Sequence, residues 1–385
     1  MHIYSYINSV KEIISSYNGI IPFASWLKKY FAALKKYGSK DRKHITQLCY
    51  SWFRLGKSFD QEPFEEKLLI AQFLASSTSN IFLQQLKPEW NQKIELTLSE
   101  KLSFLNASEE WHHIFPWLQE VTENIDEIAF VESFLSQPDL FLRIRTGYDA
   151  AVRKKLDKAD VEYSFIKEDC CQLPVSFKVQ DYFDTDREVV VQDFNSQQVL
   201  NAYKELGQNI DVISAWDCCA ASGGKSLLLY DQFKNIKLTV SDIRKSILHN
   251  LQARFKRAGI KEFQSYILDL SKNDVLPPGK FDLVICDAPC SGSGTWSRTP
   301  EQIYFFKEEK ILHYQQLQQK IIINASKGVN KGGYFLYITC SVFTKENEDV
   351  VSFIKDQTSL NLVSMNYYKG YDKKADTLFA ALFTF

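Results

Sequence analysis

The sequence predicts an α/β protein built on a doubly wound, mostly parallel sheet, preceded by a small α+β unit and an all-α N-terminal domain. Three observations carry this. After about Val189 short apolar runs alternate with amphipathic segments, the pattern of strands joined by crossover helices. Before about Pro138 apolar residues recur at helical spacing and strand signals are absent. Between these regions a short stretch mixes alternating runs with one helix. The expected boundaries are 1–137, 138–188 and 189–385.

Composition narrows the class. The 385 residues exceed the usual size of one domain. They are 45% hydrophobic and 24% charged, with 15 Gly and 10 Pro, which excludes a disordered or fibrous chain. Lys and Arg number 46 against 47 Asp and Glu, so a polyanionic partner must meet a local patch rather than a cationic protein. No apolar run reaches the roughly 18 residues of a membrane span. The start, Met1-His2-Ile3-Tyr4-Ser5-Tyr6, lacks the basic opening of a signal peptide. A cytoplasmic monomer with no membrane partner is the expectation.

In the first region Trp26, Leu27, Tyr30, Phe31 and Leu34 fall on one helix face, with Lys28, Lys29, Lys35 and Lys36 elsewhere. Nine basic residues and one acid, Asp41, lie between Lys28 and Lys57. This run reads either as a solvated face or as a phosphate-contacting surface. In the middle unit Phe141-Leu142-Arg143-Ile144-Arg145 alternates like a strand and ends at Thr146-Gly147. Ala150–Lys158 follows as a helix, and Val161–Ile166 and Glu188–Val191 as strands. The sheet domain then offers strands at Val212–Asp217, Lys237–Asp242, Phe263–Asp269, Phe281–Asp287 and Gly333–Cys340. Four end in an acid and the fifth in a cysteine. Ligands of such sheets sit outside the carboxyl ends of the strands, so that rim is the candidate site.

Cys49, Cys170, Cys171, Cys218, Cys219, Cys286, Cys290 and Cys340 show no paired Cys-x-x-Cys spacing, so neither disulfides nor a metal site is expected. About six of these read as small buried hydrophobes. Cys290 and Cys340 read otherwise. Asp287-Ala288-Pro289-Cys290-Ser291-Gly292-Ser293-Gly294 sets a carboxylate and a thiol at a strand end, and Thr339-Cys340-Ser341 adds a second thiol on the same rim. Two thiols meeting a carboxylate suggest covalent chemistry. After the first strand, Asp217-Cys218-Cys219-Ala220-Ala221-Ser222-Gly223-Gly224-Lys225-Ser226 opens a helix, where small residues admit a ligand to backbone amides. A phosphate loop would need its opening Gly at Cys219. Asp242 suits ribose hydroxyls and Asp269 an adenine amino group, although each also reads as a helix N-cap.

These motifs, with Val191-Gln192-Asp193-Phe194-Asn195-Ser196-Gln197 before the sheet and Glu346-Asn347-Glu348 after Cys340, resemble the Sun/Fmu type of RNA cytosine-C5 methyltransferase, and within it the RsmB-like small-subunit rRNA branch. The resemblance runs from about Leu140 to the C-terminus. It implies a Rossmann-like class I methyltransferase sheet, an RNA-recognition-like fold for the middle unit and a NusB-like N-terminal domain, whose likeness is carried by Lys40-Asp41-Arg42-Lys43 and Leu48-Cys49-Tyr50. It implies S-adenosyl-L-methionine held by Asp242, Asp269 and the backbone of Cys219, Ala220, Ala221, Ser222, Gly223, Gly224 and Lys225, with Asp287 beside it. Cys340 is implied as the nucleophile on cytosine carbon 6, Cys290 as the group assisting release, and Asp287 as the partner of the base edge. RNA, ribosomal or transfer, is the implied substrate, and Arg143, Arg145 and Arg298 are the RNA-contacting candidates.

Ser222 stands where that family usually has Pro, Ile247 where Arg is common, and Ser297 where the first of two Arg is usual. The chain ends soon after Phe379-Ala380-Ala381-Leu382, so no further C-terminal RNA-binding domain is expected. Two competing functions use the same residues: a ribosome-assembly factor that keeps the site idle, and a P-loop nucleotidase.

Overall fold

A computed structural model of the chain describes residues 2–206, 213–233, 235–272 and 276–385. It divides into two compact units, Met1–Gln137 with Thr295–Glu308, and Pro138–Gly294 with Glu309–Phe385. The expected three-part division differs from this in two ways: residues 138–188 pack with the sheet domain, and residues 295–308 leave that domain for the helical unit. The second difference is driven by aromatic burial. Tyr304 and Phe305 pack against the core of Val10, Ile13, Phe23, Ile45 and Phe53, and Trp296 meets Phe115 and Trp117.

The helical unit opens with helices Ile3–Ser16, Phe23–Ala33, Ser39–Arg54 and Phe64–Leu74. Helical spacing works as expected in the second, where Leu27 and Phe31 are buried while Lys28 and Lys29 are exposed. Lys35, Lys36, Lys40 and Lys43 are exposed as well. Arg54, from the same basic run, is an interior residue. Its guanidinium donates to the carbonyls of Phe134, Ser136 and Ser297 and to Gln137 Oε1.

The second unit carries two sheets. The smaller is antiparallel, with β1 (Leu140–Ile144), β2 (Ser164–Lys167), β3 (Cys170–Leu173) and β4 (Val189–Val191) in the order β2-β3-β1-β4. Helix Asp149–Asp157 packs Val152 and Leu156 onto it. The larger sheet contains β5 (Ile213–Asp217), β6 (Ile236–Asp242), β7 (Gln264–Ile267), β8 (Phe281–Asp287), β9 (Val329–Thr339), β10 (Asn361–Tyr368) and β11 (Leu378–Thr384). Their order is β10-β11-β9-β8-β5-β6-β7. β11 alone runs antiparallel to its neighbours, and the pairs among β5–β9 are parallel. Val212, expected to open the first of these strands, lies outside the described residues.

Both faces of this sheet are covered, as the near-continuous apolar runs require. Side chains alternate along β8: Leu283 and Ile285 join one core with Val240, Leu251 and Phe255, while Val284 and Cys286 join the other with Trp216, Ile322 and Tyr337. Strand order reverses between β5 and β8, so the crevice at their carboxyl ends is the place where such a sheet takes a ligand.

Candidate active site

The loops after β8 and β9 bring the two expected thiols together: Cys290 Sγ and Cys340 Sγ stand 3.3 Å apart, both half-buried. A buried carboxylate holds the loops in register. Glu346 accepts from the Ser291 amide at 2.9 Å, from Gln318 Nε2 at 2.9 Å and from the Ser341 hydroxyl at 2.7 Å, so one side chain binds the residue next to each thiol. Its pKa is raised by burial, against the pull of these donors. The Gly294 amide donates to the Cys340 carbonyl at 2.9 Å, and a Cβ at Gly294 would collide with the Thr377 carbonyl; this close approach is what requires glycine there. Hydrogen bonding to Cys340 comes first, then burial, in pushing the Cys290 thiol well above its ordinary pKa, so Cys290 keeps its proton at neutral pH.

Lys225, in the first turn of the helix Gly224–Gln232 after β5, meets Asp287 at the end of β8, Nζ to Oδ2, at 3.1 Å. Burial works against the ammonium, but Asp287, Cys340 and Asp217 outweigh it and raise its pKa. Lys225 is thus a lasting positive charge beside the carboxylate and the thiols. Asp217 lies beneath, fully buried, with Oδ2 accepting from Ser226 Oγ at 2.6 Å and Oδ1 unpaired. Burial raises its pKa to about 7. The sequence marks Glu346 only as part of a motif and Lys225 only through its backbone. Nothing in a linear string separates a clamping carboxylate from its neighbour Glu348.

The turn between β5 and helix Gly224–Gln232 fits a nucleoside-bearing sulfonium. Ala221 and Gly223 adopt positive φ, 46° and 82°, which turns the chain sharply into a helix start with unpaired amides. A Cβ on Gly224 would meet nothing closer than Arg254 Nη1 at 3.8 Å, so the backbone there lies open. Gly223 is different: a Cβ would strike Phe255 at 2.7 Å, so this glycine serves helix packing. Asp242 anchors the turn by accepting from the Ala221 amide at 3.0 Å. Arg244 also grips it, with Nε 3.0 Å from Oδ1 and Nη2 3.1 Å from Oδ2. A ribose can take this buried carboxylate once the exposed Arg244 side chain swings away. Asp269 caps its own turn, accepting from the amide and hydroxyl of Ser271 and from Lys272.

Two of the expected RNA contacts are corrected. Arg143 and Arg145 point inward and share Asp231, at 2.6 and 2.7 Å. Arg143 also donates to Gln192 Oε1, and Arg145 to the carbonyls of Asp186 and Ala258. Strand alternation places such residues on a face without saying whether that face meets water or a packed helix. Arg298 is half-buried on the segment that folds with the helical unit.

The order of the large sheet and the crevice with its two thiols define a methyltransferase-type domain. Residues 207–380 match the family model described as 16S rRNA methyltransferase RsmB/F, so the resemblance read from the motifs holds across the sheet domain. The chain is 28% identical over 200 residues to the probable ribosomal RNA small subunit methyltransferase B of Bacillus subtilis, covering 51% of this chain and 44% of that one. It is 32% identical over 154 residues to the human 28S rRNA (cytosine(4447)-C(5))-methyltransferase, covering 38% and 19%. The chain therefore spans less than half the length of these curated relatives. Among solved structures it is similar to the protein PH0851, at 20% identity and a TM-score of 0.73 over 100% of this chain and 99% of that one. It is also similar to NSun6 from Pyrococcus horikoshii with SFG, at 13% identity and 0.58 over 74% and 97%. Both likenesses concern the fold. No described helix is long and apolar enough to cross a membrane.

Proposed function

We propose that the chain is an S-adenosylmethionine-dependent RNA cytosine-C5 methyltransferase acting on small-subunit ribosomal RNA. The observation that carries this is the pair of thiols at 3.3 Å, beside the Lys225–Asp287 ion pair, at the carboxyl ends of a doubly wound sheet. The names of the relatives support the substrate class. When bound in the turn after β5, S-adenosylmethionine supplies an electrophilic methyl group; Asp242, Asp269 and the Ala221–Lys225 backbone would hold it.

Carbon 5 of cytosine is a poor nucleophile until a group adds at carbon 6. Cys340 makes that bond through its sulfur, and its thiol proton passes by way of Asp287 to N3 of the base, so that addition leaves a neutral enamine. Asp287, fixed by Lys225, is the group that meets N3 for this transfer. Carbon 5 is then nucleophilic enough to accept the methyl group. With the Cys340 sulfur bonded to carbon, the larger cause that holds Cys290 protonated is removed and burial remains, so the fraction of Cys290 that gives its proton to water acts as the base. That thiolate takes the carbon 5 proton, the Cys340–carbon 6 bond breaks with its electron pair returning to sulfur, and the N3 proton goes back through Asp287 to Cys340. The base must leave its stack to reach the rim. The exposed lysines of the helical unit are candidates for phosphate contacts.

The test is a denaturing gel of RNA and S-adenosylmethionine with each variant. Cys340→Ala gives neither transfer nor adduct, and Cys290→Ala accumulates a protein–RNA adduct. An adduct with Cys340→Ala instead reverses the two roles. Wild-type protein that transfers no labelled methyl group to ribosomal RNA overturns the reading and favours an idle RNA-binding factor.

A further inference from the structure

A second group of thiols lies apart from the proposed reaction. Cys218 and Cys219 follow β5 directly, and Cys286 is the penultimate residue of β8. The Cys218 amide donates to the Ile285 carbonyl at 2.9 Å, which pins the two segments side by side. The three Sγ atoms all lie within 4.8 Å of one another. Cys218 and Cys286 are buried among Trp216, Leu270 and Ala288, and Cys219 is half-buried against the same cluster. No step of the proposed reaction uses them.

We infer that Cys218, Cys219 and Cys286 form a binding site for one thiophilic divalent d¹⁰ cation of the zinc class. Three thiolates around such an ion at about 2.3 Å stand about 4 Å from one another, so the group needs only a small contraction to close on the metal. Soft sulfur donors select zinc and copper(I) over the hard cations. Charge decides between these two. Three thiolates leave a net −1 with a divalent ion and −2 with copper(I), and an apolar surrounding penalises the second more heavily. Binding exchanges three S–H bonds for three S–metal bonds, with the protons released to water. A fourth ligand enters from the half-buried side of Cys219, and water suffices there. Because Cys219 leads directly into Ala220–Gly224, an ion at this site ties the turn at the β5 end to β8.

The experiment uses the full chain, reduced and stripped of metal, titrated with Co²⁺ and read by thiolate-to-cobalt charge transfer and the visible bands of a tetrahedral site. One equivalent binds and Zn²⁺ displaces it. Cys218→Ala and Cys286→Ala each lose the band. The double variant Cys290→Ala/Cys340→Ala keeps it, which separates this site from the other thiol pair. Cys286→Val, which keeps the core filled, also loses the band while its thermal unfolding stays cooperative, so loss of metal is not loss of fold. The inference is overturned if wild-type protein shows no band, if Cys286→Val retains it, if only the Cys290/Cys340 variant loses it, or if copper(I) binds where Co²⁺ and Zn²⁺ do not.

Discussion

If Glu346 sets the spacing of Cys290 and Cys340, removing its carboxylate should loosen both loops at once. The side chain is buried and accepts three hydrogen bonds, from Ser291, Gln318 and Ser341. Hydrogen bonds to a charged acceptor contribute roughly 1.5–3 kcal/mol each. The carboxylate also carries a desolvation cost, seen in its raised pKa, which Glu346→Ala relieves. Breaking such a buried network by deleting one partner therefore costs about 3–5 kcal/mol. Glu346→Gln keeps the volume but turns an amide NH₂ toward one of the donors, for a loss of about 1–3 kcal/mol. Urea unfolding measures both. A short bifunctional thiol reagent reports the spacing, because Cys290 and Cys340 must stand together to be bridged. If half or more of the lost stability falls on local opening of the loops, bridging drops about tenfold for each 1.4 kcal/mol. A Glu346→Ala protein within about 1 kcal/mol of wild type, bridged as fast, would refute the clamp. The bond from Gly294 to the Cys340 carbonyl and the one from Val342 to Ser293 Oγ at 3.0 Å would then suffice.

Asp217 gives a pH dependence of known sign. Its pKa is about 7 in the folded chain against 3.8 ordinarily, so the native state holds the proton more tightly. Its contribution is full below about pH 4 and is lost as pH rises through 7, up to about 4 kcal/mol in all. Urea midpoints between pH 5 and 8 should fall more steeply in wild type than in Asp217→Asn, and parallel curves would contradict this. Arg244→Ala frees the Asp242 carboxylate, so binding of S-adenosylhomocysteine measured by calorimetry should tighten by about two- to fivefold; weaker binding would mean that Arg244 itself touches the ligand. Asp231→Ala leaves Arg143 and Arg145 buried without their shared carboxylate and should cost about 3–5 kcal/mol in urea unfolding. Arg145→Met should destabilise the fold without changing the salt slope of RNA binding, whereas a slope reduced by about one would restore Arg145 as a phosphate contact.

Parallel strands were the most legible part of the chain, because burial on both faces writes them as uninterrupted apolar runs. Phe281–Asp287 is a strand over the residues expected, and the run expected at Lys237–Asp242 begins one residue earlier, at Ile236. β3, β10 and β11 escaped. Cys170-Cys171-Gln172-Leu173 lacks β-branched residues, β10 has mostly exposed side chains, and Leu378–Thr384 is buried at nearly every position, a pattern that periodicity reads as helix or strand alike. Among the site residues, those that announced themselves are polar groups where an apolar run stops: Asp242, Asp287 and Cys340. Pairings were not legible. Arg143 and Arg145 sit in a strand that alternates correctly, yet their partner Asp231 is 88 and 86 positions away. Which helix covers a face is decided by tertiary packing, and no local pattern records it.

Strand order explains why residues so far apart in sequence meet. β5, β8 and β9 are neighbours in the sheet and run parallel, so the loops at their carboxyl ends are neighbours too. One contributes Lys225, the next Asp287 and Cys290, the third Cys340. Each connection leaves the rim, crosses a face of the sheet as a helix and returns at the far end, which is why only the carboxyl ends gather polar groups. The same adjacency sets Cys286 beside Cys218 and Cys219 one layer below. Two registers on either side of β8 do this: Asp217 opposite Ile285 aligns Cys286 with Cys218 and Cys219, and Asp287 opposite Ile338 aligns the loops of Cys290 and Cys340. Since a one-residue slip would turn each side chain to the opposite face, a slip of β8 would lose both thiol groups, whereas a slip of β5 or of β9 alone would lose only one.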